Sequence, residues 1–578
     1  MPNQKIENLL NLALEATPEE RRKSYILNIG HNVERDTWEV IVNYQGDISF
    51  LEQEGIVITL LLGNYAILIV PADLVDTVAL LPQITYMEKP KRLAFAAYPG
   101  RAVSCINPLQ QNDVNGLFGN GVLVACIDSG IDYTHPDFRN EDGTTRILRL
   151  WDQTIQTGPA PEGYNIGTEY TKEQIDEALS GDPTLVPSSD PGGHGTAVMG
   201  IAAGNGRASE GVYAGVATLS SLVVVKLGTP APNDFPSTTQ LIQGIDYCVR
   251  LSLSLQMPIA INLSFGNNYG SHSGDSLIEN YINTVANLGQ NVICIGSGNE
   301  GNTALHTAGI LLPNSSTLVE FSVGGYEPGL SIQLWKYYVD EFDIYLIHPN
   351  GTIVGPVNPV SGTQRYSLPG TDLLVYYGMP SPYSFSQEIF FDFLPGTNQN
   401  YLPSGIWTFR LVARRIVEGS YNLWLPSGGY VGTSTRFLTP FSDSTLTIPS
   451  TALRAITVGA YDSRLLTYAD FSGRGYTRIV LTVKPDIVAP GVRITAPSSY
   501  GGTSYGEFTG TSFATPFVTG SAALMMEWGI IRGNDAFLYG EKVKAYLRRG
   551  ARSLPGFDIY PNPQVGYGAL CLRDSIPL

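Results

Sequence analysis

The amino-acid sequence predicts an α/β protein in which a parallel sheet is flanked by helices, a small α+β domain comes first and an all-β segment is inserted. Three observations lead there. Residues 121–132 are an apolar run that ends in Asp128, Ser129 and Gly130. This is the pattern of a strand buried on both faces that delivers a carboxylate to the edge of a parallel sheet. Residues 38–88 carry strand and helix signals in the order β-α-β-β-α-β, a split βαβ unit. Residues 317–425 hold short strand-like runs punctuated by Gly, Pro and Asn, the signature of a β-sandwich or jelly roll.

At 578 residues the chain is too long for one hydrophobic core. The reading divides it into residues 1–96, an α+β domain; 97–301 and 447–578, the two parts of the parallel-sheet domain; and 302–446, the insertion. Only 15% of residues are charged and 62 are Gly, which fits a loop-rich globular protein. A net charge of −17 argues against nucleic acid or an anionic membrane surface as partner, and favours basic or neutral substrates. Five cysteines, odd in number and scattered, do not suggest a disulfide framework. Cys126 and Cys294 sit in apolar strands and read as small buried hydrophobes.

In the first domain, residues 38–44 alternate like a strand and 47–54 can be helical. Residues 56–62 and 65–70 are strands around Gly63-Asn64, 73–81 form an amphipathic helix, and 84–88 a last strand. The apolar stretch 56–81 raises the question of a membrane span, but Gly63-Asn64 and Pro71-Ala72-Asp73 break it into strand and helix lengths. Residues 1–35 contain one apolar cluster, 9–14, flanked by Glu7 and Glu15 and too short for a secretory signal. The expectation is an intracellular or spore-enclosed protein, with export by a route needing no signal peptide as the alternative. Residues 92–97 follow as an extended apolar tail.

Candidate chemistry lies in four further segments. In residues 192–204, His194 opens a run so rich in Gly and Ala that neighbouring elements can approach closely. A lone histidine there is also compatible with a structural role. Residues 290–295 are a strand leading to Gly296-Ser297-Gly298-Asn299-Glu300-Gly301, where Asn299 alone reads equally as a turn residue. Residues 262–266, Asn-Leu-Ser-Phe-Gly, are a strand end. In residues 509–520, Ser512 stands at the mouth of a helix whose apolar positions begin at Phe513, with Pro516 expected in the first turn. Such a serine is an ordinary N-cap, yet the positive potential of a helix N-terminus also favours an oxyanion beside an acyl-transfer nucleophile.

Asp128, His194 and Ser512, in that order and each at a strand end or helix start, follow one of the known chain orders of a serine-hydrolase triad. The segments around them resemble those of the subtilisin family of serine proteases, and residues 296–301 resemble its oxyanion loop. The resemblance covers roughly residues 100–301 and 446–570. It implies Ser512 as nucleophile, His194 as general base and then acid, and Asp128 as the group that orients the imidazole. It also implies an oxyanion hole from the Asn299 amide and the Ser512 N–H, with Ser264, Phe265, Gly266, Ser297 and Gly298 binding the substrate peptide.

The α+β domain resembles the propeptide of these enzymes, a folding template and inhibitor. The resemblance implies self-cleavage near Ala96 and Ala97, with the propeptide retained non-covalently afterwards. Two departures stand out. Ala197 occupies a place where the family has a second histidine. Residues 204–215, which correspond to a tight calcium loop, bring Arg207 and no ligand array; calcium takes about six to eight oxygens. No metal or other cofactor is therefore expected.

A propeptide without a signal sequence, a complete triad and an inserted jelly roll are similar to the clostridial spore germination proteases, subtilases that activate a cortex-degrading proenzyme. Residues 87–93 and 100–106 strengthen that resemblance. The expected function is thus an autoprocessing serine endopeptidase of that type. The alternatives are a sensor or binding protein that keeps the fold without turnover, and a general leaderless bacterial subtilase.

Overall fold

Strands built from Val, Ile, Ala and Leu, apolar on both sides, must be covered on both sides, and this dictates the layout of the larger of two units, Tyr98–Leu578 and Met1–Ala97. The structure is a computed structural model that describes residues 4–23, 27–90, 99–111, 116–228, 236–382, 384–479 and 482–577. Ala96 and Ala97, and with them the expected processing site, lie outside the described residues.

In the larger unit, seven strands pair in parallel in the order Ile487–Pro490, Ile456–Asp462, Asn291–Gly296, Ile259–Leu263, Leu123–Asp128, Ser221–Lys226 and Ile147–Asp152. Short antiparallel strands, Thr467–Tyr468 and Thr168–Thr171, complete the nine-stranded sheet. Val124 and Cys126 face one core, with the helices His194–Ala203 and Thr511–Met526. Leu123, Ala125 and Ile127 face the other, with Thr238–Leu255 and Leu277–Val285. Both helices of the first face are nearly all small or apolar, so they pack closely: a Cβ at Gly520 would lie 2.5 Å from Val216 and 2.6 Å from the Ala202 carbonyl oxygen.

The helix that carries Ser512 begins at Thr511, so Pro516 is an interior residue and not part of the first turn. Proline has no N–H, and the carbonyl it would have served belongs to Ser512, four residues back. That carbonyl instead accepts a hydrogen bond from Ser264 Oγ at 3.3 Å.

The smaller unit is the β-α-β-β-α-β arrangement expected. Thr37–Tyr44, Val57–Leu61, Tyr65–Pro71 and Ile84–Glu88, joined by a 3₁₀ turn, Ser49–Glu54, and a helix, Val75–Leu80, form an antiparallel sheet to which the strand His31–Asn32, not foreseen from the sequence, adds a fifth member. Trp38, Val40, Val42, Leu51, Leu68 and Val75 make its core. The apolar cluster at 9–14 belongs to a helix, Asn8–Glu15, that places Leu10 and Ala13 in this core.

Between the two halves of the sheet domain lie two antiparallel sheets. One has the order His306–Ile310, Ser420–Trp424, Leu330–Tyr337, Ser386–Pro395, Thr371–Tyr377, Gly362–Leu368. The other runs Ile353–Val354, Glu341–Ile347, Gly405–Arg415, Ser316–Val323, Arg436–Phe437. Their inner faces share one core that includes Phe321, Ile332, Phe391, Phe393, Trp407 and Phe409. The seven runs that read as strands in the sequence, 317–324, 330–335, 342–347, 373–377, 388–393, 406–414 and 419–425, each coincide with a strand. The strands not foreseen are short, or, like Gly362–Leu368, mostly polar along their length.

One cysteine expectation is corrected. Cys105 and Cys571, 466 residues apart, form a disulfide that ties the start of the larger unit to its last helix, Leu572–Ser575. Cys126, Cys248 and Cys294 are buried free thiols.

The sandwich meets the parallel-sheet half of this unit through stacked rings. His272 lies 4.2 Å from Trp424, and His306 covers the same indole at 4.5 Å. Burial pushes the His272 imidazole down to about 3 and that of His306 to about 4, against about 6.5 for a free histidine. Both are neutral when folded, so below pH about 6.5 only the unfolded chain takes up these protons. Stability should be level above that pH and fall as the pH drops from about 6.5 towards 4, by up to about 1.4 kcal/mol per unit and per histidine. Unfolding midpoints measured from pH 7.5 to 4.5 should show this decline, and it should be shallower in His306→Phe.

Candidate active site

The central strand Leu123–Asp128 ends on a buried carboxylate, and a buried carboxylate needs donors. Asp128 Oδ1 accepts from the Ser129 N–H at 2.7 Å and pairs with His194 Nδ1 at 2.7 Å. Gly193, with φ +69°, turns the chain so that His194 starts the helix His194–Ala203 with its ring over the strand end. The imidazole is part-exposed, 34%: Asp128 holds its Nδ1 while part of the ring stays open to solvent. Burial works to lower the His194 pKa, but the charge and hydrogen bond of Asp128, with the charge of Asp190, outweigh it and leave the imidazole more basic than usual.

Ser512 is the second residue of the helix Thr511–Met526. The ring of the next residue, Phe513, lies 5.2 Å from that of His194, so the two helix starts converge. In this conformation Ser512 Oγ turns to the Ser264 carbonyl at 3.5 Å, and no hydrogen bond links it to His194. Such contacts tighten on substrate binding in many enzymes.

Asn299 is oriented by its carbonyl: Oδ1 accepts from the Thr511 N–H at 3.0 Å and from Thr511 Oγ1 at 3.2 Å. Its Nδ2 is thereby the end available as a donor. Ser264, Phe265, Gly266, Gly298, Asn299 and Ser512 line one cleft of about 190 Å³, with Glu300 and Thr447. Ser297 does not. It is fully buried, with its hydroxyl 3.3 Å from that of Ser472 and its backbone bonded to Val458 and Thr447.

Sequence reasoning missed Thr447. A Cβ at Gly298, where φ is +94°, would come within 2.5 Å of its side chain, and so would one at Gly266. No local motif marks it, because it follows the insertion and meets these glycines only in the fold.

The region that corresponds to a calcium loop is built differently. The Asp137 carboxylate accepts from the Ala208 N–H at 2.9 Å and from Tyr505 Oη at 2.9 and 3.0 Å. Beside it the buried Arg146 guanidinium donates to the carbonyls of Asp137, Ala203, Ala217 and Ser220. Burial pushes Arg146 down to about 10 in spite of Asp137, and the group keeps its charge at neutral pH. The carbonyl cluster is thus occupied by an internal cation.

The subtilase family model matches residues 119–368 and 438–568, most of the chain, and the Csp protease B prodomain model matches residues 4–91. The chain belongs to the subtilase family of serine endopeptidases. The solved CspB protease of Clostridium perfringens is 35% identical with a TM-score of 0.76, over 83% of this chain and 97% of that one. The minor extracellular protease Vpr of Bacillus subtilis is 25% identical over 80% of this chain and 52% of its own length. The serine protease AprX of the same species is 34% identical over 23% of this chain and 32% of its own length. The chain therefore spans about half the length, or less, of these curated relatives.

Arg146 yields a test. Arg146→Ala removes the guanidinium donor from the Ala203 and Ser220 carbonyls, while those of Asp137 and Ala217 keep the N–H groups of Asn205 and Ser220, and should cost on the order of 3 kcal/mol in unfolding free energy. Added chelator should leave the wild-type unfolding midpoint in place.

Proposed function

We propose that the chain is an autoprocessing serine endopeptidase in which Ser512 attacks the scissile carbonyl and His194 takes its proton. Asp128 holds the imidazole in the tautomer and orientation this requires. The observation that carries the reading is the 2.7 Å pair of Asp128 and His194 facing the N-terminus of the helix that bears Ser512. The more basic imidazole suits a group that must accept a proton and later return it to the leaving amine.

The Ser512 N–H and Asn299 Nδ2 would receive the tetrahedral oxyanion. The fixed orientation of the Asn299 amide supports this role, since a donor already in place costs no reorganisation. Ser264, Phe265, Gly266 and Gly298 would flank the substrate backbone. Residues 1–96 would act as a propeptide, cleaved near Ala96 and Ala97 and retained, with 97–301 and 447–578 as catalytic domain and 302–446 as a jelly-roll module. The substrate class proposed is a spore cortex-lytic proenzyme, cut during germination. Support comes from the prodomain match and from 35% identity to a CspB protease across most of both chains.

Ser512→Ala should lower peptidase activity by about six orders of magnitude, the loss seen for the nucleophile of another subtilase, while the fold survives. Unchanged activity in the purified variant sinks the assignment. Recombinant wild type should purify as two associated fragments, because a tail tethered beside the site is cut at high effective concentration. Ser512→Ala should remain one chain; N-terminal sequencing reads both results. Incubation of the active enzyme with a purified cortex-lytic proenzyme should give one defined product. A proenzyme left intact by enzyme that labels with a fluorophosphonate would reject the substrate class and spare the chemistry.

A further inference from the structure

We infer that Asp190 is a positioning residue for the Asp128–His194 pair, one that stitches the strand end to the helix start and sets a second negative charge behind the imidazole. The inference rests on the proposed role of His194 as general base.

Asp190 lies four residues before His194 and is 2% exposed. One carboxylate oxygen accepts from Ser129 Oγ at 2.8 Å. The other accepts from the Thr196 N–H at 2.9 Å and from Thr196 Oγ1 at 2.7 Å. It accepts in all three bonds, the pattern of an ionised carboxylate. Ser129 bonds Asp128 directly, and Thr196 follows His194 by two residues in the same helix. Ser129 donates its N–H to Asp128 Oδ1 at 2.7 Å, and its hydroxyl accepts from the Gly195 N–H at 2.9 Å. Thr196 Oγ1 in turn accepts from the Asp132 N–H at 2.9 Å. The residues on either side of the Asp128–His194 contact are therefore fixed to one another by side chains that never touch the cleft.

The electrostatic part follows from what else is near. The helices His194–Ala203 and Thr511–Met526 contain no Asp, Glu, Lys or Arg. Ser499 and Tyr500, which meet Gly193 and Pro191, are uncharged. The loop after the strand brings Asp132, whose carboxylate bonds Thr134, and the neighbouring strand brings Lys226, whose ammonium lies 3.2 Å from Asp152. After Asp128, Asp190 is the charge that acts on His194, and it acts to raise its pKa.

Asp190→Asn keeps the shape and removes the charge. The rate of fluorophosphonate labelling at Ser512 and kcat/KM for a peptide should both be followed from pH 5 to 9. In wild type the acidic limb marks His194. In Asp190→Asn that limb should move to lower pH by roughly half a unit to one unit in both profiles. Ser129→Ala cuts the tie and keeps the charge, so it should lower the labelling plateau and leave the limb where it is. Wild type that labels, together with an unmoved limb in folded Asp190→Asn, overturns this inference alone. Should Asp190→Asn fail to fold, an unchanged plateau in Ser129→Ala overturns it. Wild type that labels at no pH fails the reading of His194 itself, and this inference with it.

Discussion

Everything in the candidate site hangs on one contact, the hydrogen bond between a carboxylate at the end of a doubly buried strand and an imidazole at the start of a helix. Asp128 could not sit at that depth unpaired, since an isolated buried carboxylate is costly. Its partner is supplied by the helix His194–Ala203, whose residues are otherwise Gly, Thr or apolar and so allow the backbone close to the sheet. Next to it runs Thr511–Met526, again without a charged residue, and the two helices meet at a glycine. The polar pair is thus held at the rim of an apolar layer, where its electrostatics are strong and its geometry leaves little freedom.

How much of this the sequence disclosed depended on whether a signal was local. The strand ending in Asp128 and the helices at His194 and Ser512 were legible because periodicity and glycine placement act within a few residues. The β-α-β-β-α-β order of the first unit and the seven main strands of the insertion were legible for the same reason. What escaped was long-range. Thr447 reaches Gly266 and Gly298 from across the insertion, and Cys105 meets Cys571 from the far end of the chain. Pro516 was misplaced by a turn because nothing local revealed that the Ser512 carbonyl had found a donor in Ser264. Ser297, adjacent to the right loop, faces inward because the strand Asn291–Gly296 ends just before it and its backbone stays bonded to Val458.

A second theme is the replacement of missing partners by groups from elsewhere in the chain. At Ser512 a serine hydroxyl supplies the donor that a proline cannot. Around Asp137, a guanidinium and a tyrosine hydroxyl satisfy carbonyls and a carboxylate at depth. Arginine suits this place because its planar group carries several donors and is weakly hydrated for a cation. Such sites are settled by the fold as a whole, so a sequence motif for them is short or absent.

The insertion is bound to this chemistry more closely than its position suggests. The chain leaves the sandwich at Arg436–Phe437 and within about ten residues delivers Thr447 to the floor of the cleft, where the Thr447 N–H bonds the Ser297 carbonyl. The next residue, Ile448, pairs with Asn267, directly after the Ser264–Gly266 wall. Gly266 and Gly298 have no side chain to give way, so the cleft keeps its width only if Thr447 keeps its place. That place is set by a strand returning from the sandwich, and the sandwich is in turn seated on Trp424 between two neutral histidines. A disturbance of the stacked rings therefore has a short covalent route to the residues that line the cleft, which makes the junction part of the structural support of the site.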